Sequence, residues 1–310
     1  MSVPFRTEEQ ALVDAVSTER LMESTRTVAQ WVRLSGTPEE ARAFDWLEGQ
    51  LKAYGLETAR YSFPALVSWP ESAFLRVTTA DGKTEQVVCA THGFAASTPA
   101  EGLEGELVYV GQGTEDELAK LDVCGKIALV DGIAAPNRGL VLEAAEVAAS
   151  IWIAGERLHE RLMSPVWGTP TPETAGLLPR TPSISIKGPD GARLKEAMQT
   201  GSIRAKMVTK VFQGWKDIPV LTGDLRPAAQ GPEAHTFVML SGHVDSWYYG
   251  AMDNGSANAT MLEVARLLAE RRSSLRRGLR VAFWSGHSHG RYAGSGAYAD
   301  HIWQDLHDNC

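Results

Sequence analysis

Cysteine is scarce in this chain. Cys89, Cys124 and Cys310 are the whole complement in 310 residues. They are widely spaced and form no Cys-x-x-Cys pair, which argues against a disulfide-stapled fold. Long apolar runs are absent too. No stretch of about 18 apolar residues occurs, so no membrane-spanning helix and no membrane partner are expected. The opening Met1-Ser2-Val3-Pro4-Phe5-Arg6-Thr7-Glu8-Glu9 holds no apolar signal core, and the expected location is cytoplasmic. Cationic excess is also missing. Lys and Arg number 30 against 38 Asp and Glu, a net charge of −8. Nucleic-acid binding needs clustered positive charge, so no such partner is expected. The one basic cluster, Arg271, Arg272, Arg276, Arg277 and Arg280, reads as cations at a helix end followed by a strand flank. What is present is a globular composition, 44% hydrophobic and 22% charged. The length allows one large domain or two smaller ones.

Chemistry concentrates between Thr236 and Tyr298. Thr236-Phe237-Val238-Met239-Leu240 is a short, β-rich apolar run and predicts a buried strand. It delivers Ser241-Gly242-His243-Val244-Asp245-Ser246. His243 and Asp245 stand two apart at its end, so both side chains can project to one face. A neutral imidazole ligates zinc well, and a carboxylate on its other nitrogen fixes the tautomer. Asp253 lies in the turn Met252-Asp253-Asn254-Gly255 before a helical pattern, where its carboxylate can face a metal. A second apolar run, Leu279 to Trp284, leads into Gly286-His287-Ser288-His289-Gly290. Taken singly, a strand-end histidine or an Asp-Asn turn is more often structural than functional. The ordered combination is what carries the signal.

That combination resembles the co-catalytic zinc aminopeptidase family, whose relatives include glutamate carboxypeptidase-like and transferrin-receptor-like proteins. The matching residues are Gly242-His243-Val244-Asp245-Ser246, Gly250-Ala251-Met252-Asp253-Asn254-Gly255, Leu262-Glu263-Val264-Ala265-Arg266, Phe283-Trp284, and Gly294-Ser295 with Tyr298. The resemblance implies an α/β fold, a mixed and mostly parallel sheet with helices on both faces. It implies two zinc ions, a peptide substrate, and hydrolysis of N-terminal peptide bonds by metal-activated water. By the same resemblance His243 is a first-metal ligand, Asp245 orients it, and Asp253 bridges the two metals.

Two departures stand out. After the second strand the family has a Glu-Glu pair, general base then ligand. This chain has His287-Ser288-His289, with about one extra residue before Gly294. Counting from Trp284 puts His287 nearest the base position, and histidine titrates in the range that suits a base. Moving the extra residue one place earlier gives His289 the ligand role. The structural alternative is that both histidines hold Arg291 and Tyr292 in place. The family also supplies an Asp and a final His from further downstream than Cys310. The resemblance therefore implies the N-terminal part of a longer peptidase, or half of a split one, completed by a complementing C-terminal chain or by homo-oligomerisation. Two alternatives stand beside the aminopeptidase reading: a glutamate carboxypeptidase-like or dipeptidase hydrolase, and a non-catalytic binding relative.

Before this stretch, periodicity predicts helices over 8–22 and about 24–34. A better-marked third starts at Thr37 as N-cap, with Pro38 at the first position, Glu40 at the capping-box position, and Gly55 as the stop. Strands are expected at 59–63, 74–79 and 85–90, with Asp81-Gly82 as a hairpin turn. Short β runs follow at 106–110, 127–130, 151–153 and 183–186, a helix at 141–149, and an irregular connection over 163–190. Gly105-Glu106-Leu107-Val108-Tyr109-Val110-Gly111 and Gly125-Lys126-Ile127-Ala128-Leu129-Val130-Asp131-Gly132 resemble the protease-associated domain. The expected division is a discontinuous peptidase-like domain of 1–90 and 215–310, with a β-rich protease-associated-like insert at 91–214.

Overall fold

The computed structural model describes residues 6–228 and 230–310; Met1–Phe5, the start of the polar opening, lie outside them. The chain divides into two units. One takes in the chain up to Ala65 together with Trp215–Cys310, and the other is Leu66–Gly214. The first boundary thus falls at 65, not 90. The reason is local: the runs expected at 59–63 and 74–79 are one continuous strand, Glu57–Thr78, whose later half belongs to the second unit.

In the first unit, strand Gly278–Trp284 pairs in parallel with Phe237–His243 and antiparallel with the end of Arg204–Leu225. The parallel register sets Trp284 beside His243, so both strands end at one edge. Helices Pro38–Ala53 and Ala257–Ala269 cover one face, with Phe44, Leu47, Leu51, Leu262 and Ala265 in a core shared with Val281 and Phe283. Phe44, Leu47 and Leu51 are fully buried, each contributing about 1.5–3 kcal/mol of apolar burial. Because strand residues alternate, Trp284 points the other way and meets Tyr298 of helix Ala293–Asn309, ring centroids 5.9 Å apart.

The N-terminal helices differ from expectation. They are Thr7–Asp14 and Thr18–Val28, because Ser17 caps the second by accepting a hydrogen bond from the Arg20 N–H. The chain then leaves the helix, and residues 29–37 form a non-helical link. Thr37 caps Pro38–Ala53 as the sequence suggests. Glu40 does not complete the capping box. Its carboxyl accepts from the Gly36 N–H at 2.7 Å and is wholly buried.

In the second unit, strands Leu103–Tyr109, Ile127–Asp131, Ala149–Ile153 and Ser183–Ile186 run parallel in that order. Cys89–Thr91 adds antiparallel to the last, and the hairpin turn at Asp81-Gly82 joins Thr78 to Thr84. The middle strands are buried along their length, hence their continuous apolar runs. The expected helix at 141–149 is Pro136–Ala144, and Gly188–Ala197 is a helix that the Pro/Gly texture of 163–190 masks. Pro189 suits the first turn, where its missing N–H costs nothing. Among the described residues no helix is long and apolar enough to cross a membrane.

Candidate metal centre

Every residue of the sequence-derived site lies in the first unit, at the edge where Phe237–His243 and Gly278–Trp284 end. His243 is the last strand residue and is buried. Its Nδ1 donates to the Asp245 carbonyl oxygen at 2.8 Å, which leaves Nε2 as the ring nitrogen that faces Asp253. Nε2 lies 3.0 Å from Asp253 Oδ1. These two donors, ten positions apart in sequence, therefore meet.

Asp253 reaches that place through an irregular turn, Ala251–Ser256, which precedes helix Ala257–Ala269. Gly250 starts the turn at φ +48°, and a Cβ there would come within 2.4 Å of both the Asp253 carbonyl oxygen and Ser246 Cβ. Only glycine suits this crossing. The Asp253–Asn254 peptide is cis. The Asp253 side chain is 61% exposed, against 8% for His243, so the pair opens outward.

Asp245 lies behind His243, fully buried. The carboxylate sits 3.6 Å from His243 Nδ1, too far for a hydrogen bond. The carbonyl of Asp245 orients the ring, a correction to the carboxylate role expected from sequence. The carboxylate accepts the His287 N–H at 3.1 Å and the Ser288 N–H at 2.6 Å. It thereby ties the loop after the second strand to the loop after the first. Burial works to raise the Asp245 pKa, but contacts with His243 and His289 overcome it and hold the group well below the usual carboxylate range. For His243, burial works to lower the pKa, and Asp245 outweighs it and raises it.

His287 stacks on His243, ring centroids 4.0 Å apart and 10° from parallel, and meets Tyr292 edge-on at 4.5 Å. Burial and the charge of His243 lower its pKa. A neutral imidazole next to the His243–Asp253 pair has a lone pair able to hold a proton. His289 goes elsewhere. It is fully buried, its Nδ1 is 3.0 Å from Ser35 Oγ and 3.5 Å from Asp245 Oδ2, and Trp247 packs edge-on against it. That places His289 on the far side of Asp245 and corrects the ligand role expected of it.

Around this group stand Arg33, Ser35 and Glu40, which the sequence reading did not place in the site. The signal for Arg33 was available: Trp31-Val32-Arg33-Leu34 sets one charge in an apolar run. Burial and the charge of Asp245 push the Glu40 carboxyl up, well above its ordinary range, against the pull of Ser285 and the Gly36 N–H.

Residues 222–308 match the model of peptidase family M28. The matched stretch includes His243, Asp253 and the 287–289 loop. The chain resembles the probable glutamate carboxypeptidase VP8 of Zea mays, 26% identical over 91% of this chain and 47% of that protein. It also resembles carboxypeptidase Q of Xenopus laevis, 24% identical over 92% of this chain and 61% of that protein. The chain thus spans only about half the length of these curated relatives. Among solved structures, an aminopeptidase from Aneurinibacillus sp. strain AM-1 superposes with a TM-score of 0.74 at 20% identity, over 96% of this chain and 69% of that one. A zinc aminopeptidase from Bacillus subtilis gives a TM-score of 0.64 at 21% identity, over 98% and 67%. These likenesses show a mixed α/β fold.

Zinc is the ion named for the Bacillus subtilis aminopeptidase. One imidazole nitrogen and one carboxylate, open to one side, are of the right chemistry for a borderline divalent ion but fewer than the three protein ligands of a catalytic zinc site, so they would hold a single ion weakly. They do not fit two ions. Among the described residues no group of three or more His, Cys, Asp or Glu is arranged to hold a metal.

Proposed function

We propose that the chain is a metal-dependent exopeptidase of aminopeptidase type, acting on the N-terminal bonds of peptides. The observation that carries this is the 3.0 Å approach of His243 Nε2 to Asp253 Oδ1. In this reading His243 and Asp253 hold the metal, zinc by donor chemistry. When bound, the metal supplies Lewis acidity and a source of hydroxide near neutral pH. The chain's own residues prepare for it. The Asp245 carbonyl keeps the His243 proton on Nδ1, so Nε2 faces outward. The Asp245 carboxylate fixes the backbone of His287 and Ser288. His287, neutral near pH 7, accepts the proton that a glutamate takes elsewhere in the family. Leu66–Gly214 is read as a protease-associated-like insert with no chemistry of its own.

A panel of aminoacyl-nitroanilides, assayed with and without zinc, tests the reading. Turnover that needs zinc and disappears in His243→Ala is expected. Turnover indifferent to chelation, or to loss of His243, refutes it. A carboxypeptidase reading draws on the two curated relatives, and release of a C-terminal residue from a peptide in place of nitroaniline turnover would favour it. A non-catalytic binding role draws on the histidines that stand where the family has Glu-Glu. Zinc binding without turnover of either substrate type would favour that.

A further inference from the structure

Between His243 and Asp253 the chain crosses nine residues with no strand and no standard helix until Ala251. Tyr248 and Gly250 both take positive φ, 53° and 48°. Such a crossing does not fully satisfy its own backbone. Gly250 O accepts the Gly255 N–H at 3.0 Å, and the carbonyl groups of Val244, Tyr249 and Gly250 all point at a further donor. Arg33 supplies it. Its Nε donates to Val244 O at 2.7 Å, Nη1 to Tyr249 O at 2.9 Å, and Nη2 to Gly250 O at 3.1 Å. Nη1 also reaches back to Val28 O at 2.7 Å and Trp31 O at 2.9 Å. The Arg33 carbonyl accepts the Ser246 N–H at 2.9 Å.

The guanidinium is fully buried, and among the described residues no carboxylate comes within ion-pair distance of it. A buried cation without a contacting anion is costly. Here the cost is offset by five carbonyl acceptors and, at longer range, by the charges of Asp245, Glu40 and Asp253. A fold needing only apolar packing at this place would use an aliphatic side chain.

We propose that Arg33 is a positioning residue, whose fork holds the 244–250 crossing so that the Asp253 carboxylate faces His243 Nε2. This rests on the reading of those two residues as the metal-holding pair. Lysine cannot substitute, because its donors radiate from one point and cannot span carbonyls on both sides of a planar group.

Hydrogen exchange on the metal-free protein, paired with zinc titration, tests this in Arg33→Lys. Protection over 244–255 is expected to fall about tenfold or more, while helix Ala257–Ala269 and strand Gly278–Trp284 keep theirs. Zinc affinity is expected to fall roughly 10–100-fold, the range for residues that orient ligands. Ser246→Ala removes only the hydroxyl that donates to Tyr248 O at 2.8 Å and accepts from the Arg33 N–H. It is expected to loosen the same peptides to a lesser degree and reports even where Arg33→Lys fails to fold. His243→Ala should abolish zinc binding and lower protection over 244–255 by less than Arg33→Lys does, since it removes two contacts to the stretch and leaves the guanidinium bonds in place. Unchanged exchange there in Arg33→Lys overturns the proposal, as does loss spread evenly over the unit. A wild-type protein that binds no zinc overturns the metal reading instead, and the exchange data still decide whether Arg33 holds the loop.

Discussion

Replacing Asp245 with Asn keeps the size of the side chain and removes its charge. The wild-type carboxylate accepts two backbone N–H groups, from His287 and Ser288, with no exposure to solvent. An amide has one acceptor oxygen. Whichever way it turns, one buried N–H faces an NH2 group. Hydrogen bonds to a charged acceptor contribute about 1.5–3 kcal/mol and neutral ones about 1 kcal/mol. Losing one and weakening the other costs roughly 2–4 kcal/mol. At about 2–4 °C per kcal/mol for a domain of this class, Tm falls by roughly 5–15 °C. Guanidinium denaturation should show a lower midpoint with an unchanged slope. The pH dependence has a definite sign. Asp245 is held well below its ordinary range in the folded state. Its contribution is therefore complete above about pH 4 and is lost as pH falls from there toward the folded value. The gap between wild type and Asp245→Asn should narrow below about pH 4 by that linkage. A gap under about 1 kcal/mol at pH 7, the size of one neutral hydrogen bond, would refute the reasoning, as would a gap that widens in acid.

Glu40→Gln should move the other way. The folded protein holds the Glu40 proton more tightly than the unfolded chain does, so wild-type stability declines as pH rises above about 4.5 through the raised folded value. Gln keeps an acceptor for the Gly36 N–H, and its stability advantage over wild type should grow between pH 5 and pH 8 in denaturant titrations. Gly250→Ala should destabilise by more than about 1 kcal/mol, since it adds left-handed strain to the Cβ contacts described above; calorimetric melting checks this. Ser17→Ala removes the cap on Thr18–Val28 and should cost about 1 kcal/mol, with helicity otherwise retained by circular dichroism.

The parts legible in the sequence were those where local pattern and tertiary role agree. Strand Gly278–Trp284 is apolar because it is buried, and Thr37-Pro38 caps a helix whatever surrounds it. The approach of His243 to Asp253 was legible as a resemblance, through an ordered set of short motifs. What stayed hidden depends on space. Nothing in the spacing of His287-Ser288-His289 says that Asp245 will collect the two N–H groups between them and send His289 behind itself. Glu40 stands at a capping-box position and caps nothing, because a buried slot beside Asp245 and Ser285 takes its carboxyl. The single strand Glu57–Thr78 was read as two pieces because its central residues, Pro64 to Glu71, break the alternation the eye follows. The helix Gly188–Ala197 was lost in a run of prolines and glycines that, at Gly188-Pro189, mark its start.

Calorimetric titration of zinc into the metal-free protein bears most directly on the central claim. With two facing donors and no third among the described residues, weak binding of a single ion is predicted, lost in His243→Ala and in Asp253→Ala alike. Two tight sites, or one that survives both substitutions, would contradict it.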